Sequence, residues 1–186
     1  MTAAATSKGM SLYVIELLKE SKKLYINYSS KTDTENIAAF YNKNPALRNK
    51  ALLRNDLIVS KVENLKSNKA YNECMKLTKK LSVNGYTIIA GPAVIDFEYH
   101  VYVIELNNNP LFLYVGESQY PPEIRLQQHI YGYHRAQKLN NITYMKLVPE
   151  HYQKMAVLTT KSASKHAEKH KYNQLKKAGY EVLGGH

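Results

Sequence analysis

Tyr102 and Tyr114 stand in two β-branched, aromatic segments of the second half of the chain, and Gly116 follows two residues after Tyr114. Arg125 and His129 are four apart, so on a helix they share a face. Glu168 comes later, among Lys161, Lys165 and Lys169. These side chains suit phosphodiester hydrolysis, which needs a base for water, a cation near the developing charge and a carboxylate to hold a metal. A free phenol has a pKa of about 10, so a tyrosine base needs a nearby cation or metal. Arginine meets a phosphate bidentately and stays charged. One carboxylate completed by waters and phosphate oxygens is an ordinary magnesium arrangement. Gly116, without a side chain, allows a ligand to approach the backbone closely.

Taken singly, each residue has a plainer explanation. The tyrosines could be strand packing, Arg125 and His129 a solvated helix face, Gly116 a turn residue and Glu168 a partner for Lys165 or Lys171. The lysines at i, i+4 spacing could equally be a soluble helix face or a contact to a phosphate backbone. His166 and His170 also share a helix face and could bind zinc, but Ala167 stands where the zincin pattern has its glutamate.

The elements that would position these residues follow from the pattern. Val101/Val103 and Leu113/Val115 alternate with the tyrosines, which predicts a hairpin with both rings on one face, turning at Asn107 to Pro110. A helical stretch follows, with Ile124, Leu126, Ile130 and Tyr131 as a partial apolar face. Ile142–Val148 alternates as a third strand. Lys161 to Ala178 reads as a basic helix stopped by Gly179, and Tyr180–Leu183 as a short last strand.

The first half repeats this plan. Leu12–Leu17 (LYVIEL) recurs as Val101–Leu106 (VYVIEL), and Leu24–Ser29 as Leu113–Ser118, both 89 residues on. Leu81–Gly91 resembles Leu175–Gly185, 94 residues on. Leu57–Val62 is the counterpart of the third strand. The expectation is an α+β chain of two tandem units, each β-β-α-β-α-β with a small, mostly antiparallel sheet flanked by helices. A flexible terminus covers 1–9, the first copy 10–92, a linker 93–98 and the second copy 99–186.

Composition sets the outer bounds. With 44% hydrophobic and 22% charged residues the chain is globular and not disordered. A net charge of +11 favours a polyanionic partner, and nucleic acid, an acidic membrane surface and an acidic protein all fit it. Cys74 is the single cysteine, which excludes an intramolecular disulfide and a thiolate zinc cluster. The opening residues lack the order of a signal peptide and no apolar run is of membrane-spanning length, so a soluble, intracellular (cytoplasmic) protein is expected.

Val101-Tyr-Val-Ile followed by Leu113-Tyr-Val-Gly resembles the paired strand motifs of the GIY-YIG nuclease superfamily, without the leading glycine of the first motif. Arg125-Leu-Gln-Gln-His129 is similar to the arginine and histidine of the family's first helix. Ala167-Glu168, with Leu175–Tyr180 after it, is similar to its metal-binding helix and the Gly-Tyr turn beyond. The resemblance covers Tyr99 to His186. It implies that Tyr102 is the general base or positions the attacking water, and that Tyr114 bonds the phosphate or the water. Arg125 would neutralise the phosphate, His129 assist, and Glu168 hold Mg²⁺ (or Mn²⁺). Glu181 stands where many members have an asparagine.

These readings together predict a metal-dependent endonuclease acting on nucleic acid, DNA before RNA. The rivals are a nucleic-acid binder without catalysis and an inhibitor of a nucleic-acid-handling complex. At the 89-residue offset Gly116 falls on Asn27, Arg125 on Asn36 and His129 on Phe40, while Glu168 falls on Glu73 or Cys74. Lys76, Lys79 and Lys80 echo the later lysine stripe. The first copy is therefore expected to be degenerate, used for packing and DNA contact, with one active site per chain and a monomer or homodimer as the working form.

Overall fold

A computed structural model of the chain describes residues 9–58 and 65–184. The chain divides into two compact units, Met1–Val94 and Ile95–His186, within the stretch expected as linker. The terminus expected to be flexible lies, but for Gly9, outside the described residues. No helix among the described residues is long and apolar enough to cross a membrane.

The first unit runs β1 (Ser11–Glu16), β2 (Lys23–Ser29), α1 (Asp33–Lys43), β3 (Leu52–Leu53), α2 (Ser67–Val83) and β4 (Thr87–Ala90). The second runs β5 (His100–Leu106), β6 (Asn109–Ser118), α3 (Pro122–Tyr131), β7 (Met145–Leu147), α4 (Lys161–Lys177) and β8 (Glu181–Gly184). Both are β-β-α-β-α-β, and their sheets share one strand order, β3-β1-β2-β4 and β7-β5-β6-β8. In each, the hairpin and third strand pair antiparallel, while the last strand runs parallel to the second. The sheets are thus mixed, because the long helix α2 or α4 carries the chain back before the last strand.

Local chemistry fixes these elements. The turn between β5 and β6 is Asn107-Asn108, with φ of 53° and 55°, values that suit a tight hairpin and that asparagine tolerates. Helix α1 opens on a reciprocal capping box of Thr32 and Glu35, and α4 on Thr160, which accepts from the Ala163 N–H. In each unit the last strand closes at a glycine that nothing larger could replace. A Cβ on Gly91 would lie 1.9 Å from the Ile26 carbonyl oxygen, and one on Gly184 1.9 Å from that of Val115.

Each sheet has an apolar face under its long helix. Leu12, Val14, Leu24 and Ile26 cluster with Cys74, Leu77 and Leu81 of α2. Val101, Val103, Leu113 and Val115 cluster with Leu175 of α4, and truncating such a side chain to alanine costs about 2–5 kcal/mol. The other face of the second sheet carries Tyr102, Ile104 and Tyr114 against Leu126 of α3 and Leu139.

Three expectations change. Among the described residues the first unit's third strand is Leu52–Leu53; of the stretch expected for it, Leu57–Val62, Leu57 closes a 3-10 turn and 59–62 lie outside the described residues. The second unit's third strand is confined to Met145–Leu147. Helix α3 buries Gln128 and His129 and leaves Ile130 exposed; the sheet face beneath it presents the Tyr102 hydroxyl, a polar group that His129 partners.

Candidate functional site

The β5–β6 register sets Tyr102 opposite Gly116 and Ile104 opposite Tyr114, so the two tyrosines are diagonal neighbours on one face. Their ring centroids are 6.1 Å apart. A Cβ on Gly116 would lie 2.5 Å from the Tyr102 Oη and 2.8 Å from Tyr114 Cε1. Gly116 therefore makes room for the tyrosine rings, and the ligand approach expected there is filled by the protein's own side chains.

Helix α3 lowers His129 onto this pair. Its Nε2 is 2.9 Å from the Tyr102 hydroxyl, and its ring meets Tyr114 edge-on at 5.8 Å. His129 is completely buried, and its Nδ1 has no hydrogen-bond partner among the described residues. Burial, then the charges of Arg125 and Arg135, push its pKa down to about 2. The ring is neutral at pH 7 and carries one proton. An orphaned N–H costs more than an orphaned lone pair, so the proton belongs on Nε2, donated to the Tyr102 oxygen.

Burial raises the Tyr102 hydroxyl well above the ordinary phenol range; Tyr114 adds to the rise, and Arg125 pulls against it. Burial raises Tyr114 too; a hydrogen bond from Tyr102 and the charge of Arg125 lower it, while Glu168 and Glu117 raise it. Desolvation disfavours both phenolates. In this arrangement the tyrosines are neutral hydrogen-bonding groups. Of the two roles the resemblance implies for Tyr102, orienting a water fits this protonation and abstracting a proton does not.

Arg125, from the same helix, bonds the Tyr102 hydroxyl and lowers it. Its Nη1 donates to Gln128 Oε1 at 2.8 Å and its Nη2 to the His134 carbonyl at 2.9 Å. The second contact exists because α3 stops at Gly132 in the left-handed conformation and the chain turns back through His134, φ +46°. Arg125 borders a cleft of about 300 Å³ lined also by Gln128, Tyr133, His134 and the segment Glu117–Tyr120. Across it, Glu117 Oε2 accepts from Ser164 Oγ of α4 at 3.0 Å.

Tyr102, Tyr114, Arg125 and His129 are thus brought together. Glu168 comes from a different helix. It is buried on α4, one turn beyond Ser164, on the helix that covers the valine face, yet near enough to raise Tyr114. It does not line the cleft. Lys161, Lys165 and Lys169 are exposed along one flank of α4, with His166 and His170 exposed beside them. Glu181 is exposed at the start of β8. No group of three or more His, Cys, Asp and Glu converges among the described residues. The two carboxylates Glu117 and Glu168, which both act on Tyr114, are hard oxygen donors of the kind Mg²⁺ or Mn²⁺ accepts with waters.

Sequence reasoning missed Gln128, Glu117 and Ser164. Gln128 was findable, being three residues from Arg125 on one helix. The His134 carbonyl carries no side-chain signal at all.

Set beside known proteins, the chain matches no family model, no curated protein and no solved structure.

Proposed function

We propose that the chain is a divalent-metal-dependent endonuclease of the GIY-YIG type, acting on phosphodiester bonds of DNA through one site in the second unit. The observation that carries the reading is Arg125: a charged guanidinium bonded, among the described residues, to neutral acceptors, at a cleft edge, beside the buried Tyr102–His129–Tyr114 cluster. A cation held by neutral groups keeps its charge for an incoming phosphate. The tyrosine and arginine motifs, the +11 charge and the lysines of α4 support the same reading.

In this proposal Arg125 binds the scissile phosphate and offsets the charge that grows on it. Tyr114 orients the phosphate or the water. Tyr102, kept neutral, orients the attacking water, and His129 fixes the Tyr102 hydroxyl. Glu168, with Glu117 beside it, would hold the metal, which when bound supplies a Lewis acid and an acidified water. Lys161, Lys165 and Lys169 contact the backbone away from the cut. With one site per chain, a monomer nicks and concerted double-strand cleavage requires a dimer.

The burial of Glu168 on the helix over the opposite face favours a second reading, a nucleic-acid binder without catalysis. Plasmid, linear DNA and RNA incubated with Mg²⁺ or EDTA, wild type beside Glu168→Ala and Arg125→Ala, separate the two. Mg²⁺-dependent cutting lowered about 100-fold or more in both variants, to a residual rate that remains measurable in Arg125→Ala, supports the nuclease. Salt-sensitive binding with no cutting supports the binder, and neither binding nor cutting leaves an inhibitor of a nucleic-acid-handling complex.

A further inference from the structure

We infer that Gln128 is a positioning residue that aims Arg125 at the cleft without neutralising it; the inference rests on the proposed role of Arg125. Gln128 is fully buried on α3, although it is polar and next to a helix surface. A buried amide is costly unless bonded, so its place needs a reason. Its Oε1 accepts from Arg125 Nη1 at 2.8 Å, and the His134 carbonyl takes Nη2 at 2.9 Å. Two acceptors on the two terminal nitrogens fix the plane of the guanidinium. Both are neutral. A glutamate in place of Gln128 would hold the same plane and cancel the charge.

The first unit supplies an independent observation. Helices α1 and α3 begin 89 residues apart, so their positions correspond directly. There Arg125 becomes Asn36, and Gln128 becomes Ala39. Asn36 turns its amide to the Lys31 carbonyl instead. The unit without the arginine also lacks the glutamine, as expected if the glutamine serves the arginine and not the helix.

The test is a double-substitution cycle with two readouts. Nitrogen-15 spectra of the arginine guanidinium groups measure rotation about the Arg125 Nε–Cζ bond. Gln128→Leu should free that rotation, and Gln128→Glu should keep it slow. In cleavage assays Gln128→Leu should lower kcat about tenfold or more, the scale of one lost hydrogen bond to a charged group, with KM little changed. Gln128→Glu should also lose activity despite the retained geometry. In an Arg125→Ala background, Gln128→Leu should cost nothing further. Unchanged rotation in Gln128→Leu, full activity in Gln128→Glu, or an equal loss in both backgrounds would each overturn the inference. If the wild type does not cleave, the nuclease reading fails, and the role of Gln128 is decided by the rotation measurement alone.

Discussion

The two units have the same strand order and the same pair of tyrosines, yet they bury different things around them. In the second unit Tyr102 meets His129, Arg125 and the bare backbone of Gly116. In the first, the Tyr13 hydroxyl lies 3.2 Å from that of Tyr25, Asn27 donates to Tyr25, and the Phe40 ring packs 5.5 Å away. Helices α2 and α4 begin and end 94 residues apart, which settles the counterpart of Glu168 as Cys74, not Glu73. Cys74 is buried, and its thiol is pushed up to about 12 by that burial; Glu73 is half-buried and bonds Lys76. Arg125, His129 and Glu168 of the second unit thus stand against Asn36, Phe40 and Cys74 of the first, all three uncharged. One fold therefore tolerates both a polar cluster and an apolar or amide replacement, and the scaffold does not by itself require the second unit's chemistry.

The comparison is broken most severely by moving first-unit residues into the second. Arg125→Asn and Glu168→Cys are each expected to lower Mg²⁺-dependent cleavage by about 100-fold or more, the scale for losing a group that stabilises transition-state charge. Cys74→Ala in the first unit should leave the cleavage rate per folded molecule unchanged. Initial rates on supercoiled plasmid decide it, and a matching loss from Cys74→Ala would place chemistry in both units.

Acid should separate the units next. An ordinary histidine titrates near 6.5, and burial holds His129 down at about 2. The fold favours its neutral form, so that contribution to stability is complete above about pH 6.5 and is lost as pH falls from there toward 2. The stability difference between wild type and His129→Phe, the residue of the first unit, should shift toward the variant between pH 6.5 and 4. Residue-resolved hydrogen exchange reads this, and a pH-independent difference would show that His129 is not buried neutral.

A smaller effect is expected at the glycine. Gly116→Asn, copying Asn27, forces a side chain into the Tyr102 ring and should destabilise by about 1–3 kcal/mol. The reverse change, Asn27→Gly, removes only the amide bonded to Tyr25 and should cost less. Urea midpoints of the pair decide the order.

The smallest effects are at the surface. Single substitutions Lys161→Ala, Lys165→Ala and Lys169→Ala should each weaken DNA binding without regard to sequence and reduce the salt-dependence slope by about 1. Unchanged slopes would make that flank of α4 an ordinary solvated face.

The sequence alone determined the repeat, the order of elements and the shared face of Tyr102 and Tyr114, because strand alternation and constant offsets are local properties that survive without coordinates. It also placed Arg125 and His129 on one helix face. What it could not determine is which side of a sheet a later helix covers. Only the tertiary structure put α4 over the valine face and buried Glu168 on it, and only it made the last strand of each sheet parallel. Both follow from the long-range return of the chain, which no window of neighbouring residues encodes. The same holds for Gly116, whose missing side chain was legible but whose reason, the Tyr102 ring above it, lies fourteen residues away on the paired strand.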